Sequence, residues 1–436
     1  MFRIIRFYVP MGISSLLAAL THVIINGVLA RSEHPDVVIS SYAVAVSLSF
    51  LLDLPMNAIR QASSKFSRDR VSFRSVGRLA AAVAVTLVCT SVLIGWTPLG
   101  ALIFRYLFGV SGQQLAPTVQ AYQVLAFLYA FTSLRSLFQG VIINQLRTGW
   151  MTIGMATRVA VMFAMSWYCI RAGWTNDSRI GCWIFMVGIL IECSVAVWEG
   201  RSLARRLPRE RADESVRSVK ELLPFYIPLL YSSAATAILQ PALQAALNMT
   251  SRPTVAVASF AVALQLSNML AWFCASVHQI VIQFYKNERR HVLAIIAFLS
   301  IFSPAVLLAF STETGGGWLL EGVLGVHGEL LHEVRRMLPF LALQSCLFPW
   351  IDFALGLSIL SGKTKAPMLA RIGAVVLSLA LLALGVALWP GLNGSLAAIV
   401  NAVVAPVEFV LAVKFLRRLE SRTPPILLTG QRTDAK

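Results

Sequence analysis

Seven side chains able to carry charge lie inside long apolar runs: Asp53, Arg135, Arg158, Glu192, His278, Asp352 and Glu408. A charge at the centre of a hydrocarbon layer costs about 3 kcal/mol or more, so such residues face a partner or a water-filled cavity and mark substrate or ion paths. Arg135 and His278 are candidate anion contacts. Asp53, Asp352 and Glu408 are candidate coupling or ion-pairing acids, since an embedded carboxyl group can exchange a proton or hold a cation. Asp53 and Arg135 lie in one half of the chain and are expected to pair with each other. Arg158 and Arg371 each come early in a run and are expected to snorkel to the membrane surface.

Uncharged polar residues add to this set. Ser15, His22 and Asn26 fall on one helical face, as do Ser233, Thr236, Gln240, Gln244 and Asn248. His22, Asn26, Gln240, Gln244 and Asn248 are therefore expected to line a substrate cavity. Hydrogen bonding between neighbouring helices is the alternative use of such residues. Pro241 removes a backbone donor next to Gln240 and is expected to kink its helix or serve a bend.

No catalytic constellation is present. Gly315-Gly316-Gly317 lacks the Lys-Ser or Lys-Thr of a phosphate-binding loop. His327, Glu329, His332 and Glu333 lack the order of a zinc helix and read as a solvated loop. The six cysteines have no paired spacing and read as small core residues. No cofactor and no metal are expected, and with no ATPase domain the energy source must be a gradient or an exchange.

The elements that carry these residues are helices. Hydrophobic residues make up 57 % of the chain and charged ones 13 %, about half the charge of an ordinary globular protein. The apolar residues gather in runs of about 20, enough to cross roughly 30 Å of hydrocarbon. Twelve spans are expected, over roughly 7–29, 37–57, 79–104, 121–143, 151–170, 180–198, 224–247, 254–284, 291–311, 338–360, 367–388 and 393–414. Within lipid only helices or closed barrels satisfy the backbone, and the runs do not alternate as barrel strands would. Span 3 is expected to break near Pro98 and lie along the interface.

The segment Phe7–Phe66 returns without a gap as Phe225–Phe284. Phe7-Tyr8-Val9-Pro10 meets Phe225-Tyr226-Ile227-Pro228, and Pro35 meets Pro253. Roughly three in ten aligned residues are identical, a degree of self-similarity that marks an internal repeat. Six spans separate the copies, so the halves enter the membrane from one side as parallel repeats. The expected divisions are a bundle over 1–200, a cytoplasmic linker over 201–221, a second bundle over 222–418 and a disordered tail over 419–436.

The net charge of +17 comes from basic residues in alternate loops, among them Arg68, Arg74, Arg209, Arg217, Arg290 and Arg417. That bias places both termini in the cytoplasm and excludes a nucleic-acid role for the charge. The expected setting is a cell membrane, the partners a lipid bilayer, a small-molecule substrate and a coupling proton or cation, and the working state a monomer.

Three stretches carry a family resemblance. They are Arg6-Phe7-Tyr8-Val9-Pro10-Met11-Gly12-Ile13, Ser41-Tyr42-Ala43-Val44-Ala45-Val46-Ser47-Leu48 with Leu54-Pro55-Met56, and Ala126-Phe127-Leu128-Tyr129 running toward Gly140. With the twelve spans they resemble the multidrug/oligosaccharidyl-lipid/polysaccharide transporter superfamily, which holds the MATE exporters and the lipid-linked sugar flippases. Within it they are most similar to the progressive ankylosis protein family. The resemblance implies an all-α, V-shaped, MATE-like architecture of two six-helix bundles with alternating access. For the progressive ankylosis branch it implies export of small anions such as citrate, nucleotides or pyrophosphate. Some drug exporters place an acid on the tenth span, where Asp352 lies. The expected function is secondary-active export of a small anionic or amphipathic solute. The alternatives are a multidrug or organic-cation exporter, a lipid-linked oligosaccharide flippase and, from another class, a polytopic membrane enzyme.

Overall fold

The computed structural model describes all residues except 111, 211–214, 317–319, 321–327 and 422–436, and all side chains within these except those of Ala19, Asp36, Gln240, Glu420 and Ser421. The expected tail from 422 onward, His327 and Gly317 thus lie outside the described residues, as does the side chain of Gln240.

The chain divides into two compact units, Met1–Tyr226 and Ile227–Lys436. The first contains α1 (Phe2–Leu29), α2 (Pro35–Phe66), α3 (Arg70–Trp96), α4 (Pro98–Tyr106), α5 (Leu115–Leu125), α6 (Leu128–Asn144), α7 (Gly149–Arg171) and α8 (Ser178–Arg205). Helix α9 (Val219–Asn248) crosses into the second, which continues with α10 (Pro253–Cys274), α11 (Val277–Phe284), α12 (Arg289–Ser311) and α13 (Glu313–Gly316). It closes with α14 (Gly328–Ser361), α15 (Lys365–Leu388) and α16 (Gly394–Ser421). The described residues form no strand. By length and composition 11 helices can cross a membrane, or 12 when the bent pair containing α5 and α6 counts as one span.

Several helix ends fall where local chemistry puts them. Thr97 stops α3 with its hydroxyl on the Leu93 carbonyl and caps α4, whose first residue is Pro98. Pro35 and Pro253 stand at the starts of α2 and α10, where a missing N–H removes no helical bond. Helix α9 runs through Pro241 without interruption. Of the stretch read as a linker, residues 201–205 belong to α8 and 219–221 to α9. Arg60, Arg74, Arg78 and Arg201 likewise lie in helices.

The two units repeat their internal packing. Helix α2 lies on α6, α6 on α8 and α7 on α8; correspondingly α10 and α11 lie on α14, α14 on α16 and α15 on α16. One contact shows how closely the copies agree. Gly140 of α6 lies so near α2 that a Cβ would stand 2.3 Å from the Cβ of Ser63. Its repeat partner Gly356 of α14 lies equally tight on α11, where a Cβ would stand 2.7 Å from that of Val281. Val281 is the repeat partner of Ser63. Small residues let helix backbones approach in lipid, where no hydrophobic force drives helices together.

Apolar cores form inside each unit, around Tyr122, Leu125 and Ile184 in the first and Leu338, Leu341 and Ala397 in the second. Cys169, Cys182, Cys193 and Cys274 are buried, whereas Cys89 is exposed, which corrects its reading as a core residue. Its helix α3 turns that residue outward, a rotation that hydropathy alone does not define.

Replacing Gly140 or Gly356 by Ala should lower the unfolding free energy by about 1–3 kcal/mol through overpacking. Thermal unfolding of the purified protein in detergent checks this; a variant as stable as the parent would show that these crossings have slack.

Candidate functional site

The first unit gathers most of the embedded charge around one carboxylate. Glu192 on α8 is 3 % exposed. Its Oε2 accepts from Nη1 of Arg135 on α6 at 2.8 Å and from Nη1 of Arg158 on α7 at 2.8 Å. Its Oε1 accepts from the Nε2 amide of Gln139, also on α6, at 2.9 Å. Arg135 and Gln139 are four residues apart and so lie on one face of α6. Gly188 of α8 comes close to Met162 and Arg158, and this proximity sets α7 against α8. The Arg158 guanidinium also lies over the Phe185 ring, 5.1 Å from its centroid. The Nε atoms of Arg135 and Arg158 are buried without a partner among the described residues.

These contacts overturn two expectations. Arg135 bonds to Glu192 and not to Asp53, because Glu192 stands between the α6 and α7 guanidinium groups. Asp53 instead accepts from the Thr132 hydroxyl at 2.7 Å. Arg158 does not snorkel: it is 4 % exposed and held by the buried acid. Arg60, on α2 one helical stretch beyond Asp53, donates to Asn57 at 3.1 Å. It lies within electrostatic reach of Asp53, Arg135 and Glu192.

His22 packs between two aromatic rings, stacked on Phe185 at 5.6 Å and edge-on to Phe50 at 5.5 Å. Its Nδ1 lies 3.3 Å from the Tyr42 hydroxyl. Phe185 thereby joins His22 to Arg158, since the ring touches both. Asn26, Gln244 and Asn248 are exposed, and their side chains make no hydrogen bond with the described residues.

The second unit repeats part of this arrangement. Arg371 on α15 holds Glu408 on α16 through two contacts, Nη1 to Oε2 at 3.2 Å and Nη2 to Oε1 at 3.1 Å. Helices α15 and α16 correspond to α7 and α8, so each half has an Arg on its fifth span and a Glu on its sixth. Arg371 keeps 31 % of its side chain exposed, against 5 % for Arg158. The second guanidinium is missing here, because the position matching Arg135 is Ile351. A cavity of about 90 Å³ lies beside the pair, lined by Ile351, Gln344, Ser378 and Asn401 among others. The Gln344 Oε1 and Ser378 Oγ have no protein partner among the described residues. A polar space of that size holds a few waters.

The remaining two candidates are brought together. Helix α10 ends at Cys274 and α11 restarts at Val277, whereas α2 is unbroken at the same point of the repeat. The break leaves the His278 N–H without its helical acceptor, and the Asp352 Oδ2 accepts from it at 2.7 Å. The Nδ1 of His278 lies 3.1 Å from each Asp352 oxygen, and Gln279 Nε2 lies 3.0 Å from its Nε2. His278 and Asp352 are thus one buried pair. No group of three His, Cys, Asp or Glu side chains among the described residues could hold a metal, and Glu329 pairs with Arg252.

Neither a protein-family model nor a curated protein matches the sequence. Solved structures do. The eukaryotic MATE transporter AtDTX14 is similar over 96 % of this chain and 98 % of its own, at 15 % identity and a TM-score of 0.72. A MATE mutant is similar over 96 % of both chains at 14 % identity and a TM-score of 0.77. A MOP-superfamily transporter from Pyrococcus furiosus, for which a reversed polarity of the binding pocket suggests a different function, covers 96 % of both at 14 % identity and a TM-score of 0.69. The chain has the MATE fold. Nothing in these likenesses favours the progressive ankylosis branch.

Glu192→Gln should cost about 3–5 kcal/mol of stability, because it leaves two buried guanidinium groups unpaired. The double change Glu192→Leu with Arg158→Met should recover part of that loss. Denaturant unfolding in detergent tests both, and a Glu192→Gln protein of parental stability would show that water already screens the cluster.

Proposed function

We propose that this protein is a secondary-active, alternating-access membrane transporter that exports a small anionic solute. One observation carries the reading. Among the described residues of the first half, Arg135 and Arg158 share the one carboxylate of Glu192, and Arg60 bonds to Asn57 and to no acid. An excess positive charge among membrane-spanning helices favours an anion as the missing partner. Arg135 is the contact to the solute, being the less enclosed of the two arginines on Glu192, with 18 % of its side chain exposed. His22 and Asn26 extend the polar lining in that half; Gln240, Gln244 and Asn248 supply it in the other.

The fold alone does not choose a substrate, since one architecture serves many sites. Its known members include a multidrug resistance transporter and one with a reversed pocket polarity. The arginine excess argues against an organic cation. The coupling proton or cation is assigned to the second half, where Asp352 and Glu408 are each held by a single basic partner. The chain works as a monomer in a cell membrane, with both termini in the cytoplasm as the basic loops direct.

A thermal-shift screen of purified protein against citrate, pyrophosphate, nucleotides and organic cations tests the substrate class. At a hundred times its Kd a ligand stabilises the folded state by about 2.7 kcal/mol. An anion should do so, and Arg135→Gln should abolish the shift relative to its own ligand-free baseline. Stabilisation by organic cations alone would reverse the assignment. Coupling is tested by uptake into inverted vesicles under an imposed proton gradient. The Asp352→Asn, Glu408→Gln double variant should lose gradient-driven uptake, and unchanged uptake would remove both acids from the coupling role.

A further inference from the structure

The first half carries a groove separate from the charged cluster around Glu192. It has a volume of about 980 Å³ and runs along α6 and α8. One end is apolar, formed by Phe131, Leu134, Leu190 and Val197. Trp198 stands beside it, 77 % exposed. Its other end is basic, formed by Arg201, Arg205 and Arg206. A second groove of about 470 Å³ shares Val197, Arg201 and Arg205 with the first and adds Arg74 of α3.

Among the described residues no carboxylate neutralises the basic end. Arg74, Arg201, Arg205 and Arg206 are exposed and pair with no carboxylate among the described residues. The nearest acid along α8, Glu199, is buried and taken by Arg147 at 2.6 Å. Arg70, at the same end, is spent on backbone carbonyls of Leu207 and Arg205 and so fixes the start of α3 against the end of α8. The cluster is therefore held in place by backbone contacts while its own charges stay available.

The dimensions match one molecule class. From Leu190 to Arg205 the helix rises about 22 Å at 1.5 Å per residue. One leaflet, half the hydrocarbon layer with its headgroup region, measures roughly 20–22 Å. A groove of that length, apolar over about 12 Å from Leu190 to Trp198 and ending in three or four arginines, complements a phosphodiester on acyl chains. Basic pockets at the cytoplasmic ends of membrane helices bind anionic headgroups in this way.

We infer that the α6–α8 groove is a binding site for an anionic phospholipid, with its acyl chain along Leu134, Val197 and Trp198 and its phosphate on Arg201, Arg205 and Arg206. The site is independent of the transported solute, because the groove contains neither Arg135 nor His22. Trp198 provides a reporter at the boundary between the two ends.

The test uses the full chain reconstituted in phosphatidylcholine vesicles containing phosphatidylglycerol, with brominated acyl chains on one lipid at a time. Fluorescence quenching in the parent minus that in Trp198→Phe isolates the Trp198 signal from the other nine tryptophans. Brominated phosphatidylglycerol should quench this signal at a several-fold lower mole fraction than brominated phosphatidylcholine. Each arginine near an anionic surface is worth roughly fivefold in preference, so Arg201→Gln should weaken the selectivity by about that factor. The Arg201→Gln, Arg205→Gln, Arg206→Gln variant should erase it. Equal quenching by the two lipids in the parent, or selectivity that survives the triple change, would mean that the groove holds only ordinary boundary lipid. If the triple variant does not fold, the single variant decides: undiminished selectivity there overturns the site.

Discussion

Two oxygens of Glu192 on α8 receive two guanidinium groups and an amide, from α6 and α7, in a bundle with little water to share the load. A buried charge without a partner is far more costly than a buried pair, so the rotation and depth of α6, α7 and α8 are tied to this one carboxylate. If α6 turned by one residue, Arg135 and Gln139 would leave the acid together. Apolar packing in lipid is weakly directional; the cluster supplies the direction. Phe185 links it to His22 and hence to α1, so four helices of the first half refer to a single point.

The second half keeps the fifth-span Arg and sixth-span Glu but uses the surrounding positions differently. Ile351 replaces the second arginine, and the polar atoms of Gln344 and Ser378 face a small cavity beside the pair. Next to Ile351 in the chain, Asp352 closes with His278 a helix break that the first half lacks. The first half thus carries surplus positive charge, while in the second each acid is balanced by one base. That difference assigns solute and coupling ion to separate halves in the proposed mechanism.

Much of the fold was legible because length and hydropathy define membrane helices, and the repeat Phe7–Phe66 with Phe225–Phe284 announces the duplication. The prolines at helix starts and the break before Pro98 follow from a missing N–H, which is a local matter. The partners of the embedded charges were not legible. Hydropathy gives the depth of Arg158 but not which way its helix faces, and a buried arginine has the same sequence context as a snorkelling one. Arg60 stands where an apolar run fades, so composition places it in a loop although α2 continues to Phe66. Gln139 and Thr132 look like ordinary residues until α8 and α2 are beside them. One signal was available: Arg158 with Glu192 and Arg371 with Glu408 occupy matching spans of the two copies. The same pair on the same helices argues for a contact before any coordinates do.

Each of those pairs is closed within its own half. An ancestral chain of six helices that carried the pair would already have been electrostatically complete as one bundle. Duplication of such a chain would join two bundles in which this pair is already balanced. Later changes could accumulate in one copy, a second arginine here or a helix break there, without a compensating change in its twin. The Arg–Glu pair is in this sense the inheritance that left the two copies free to diverge.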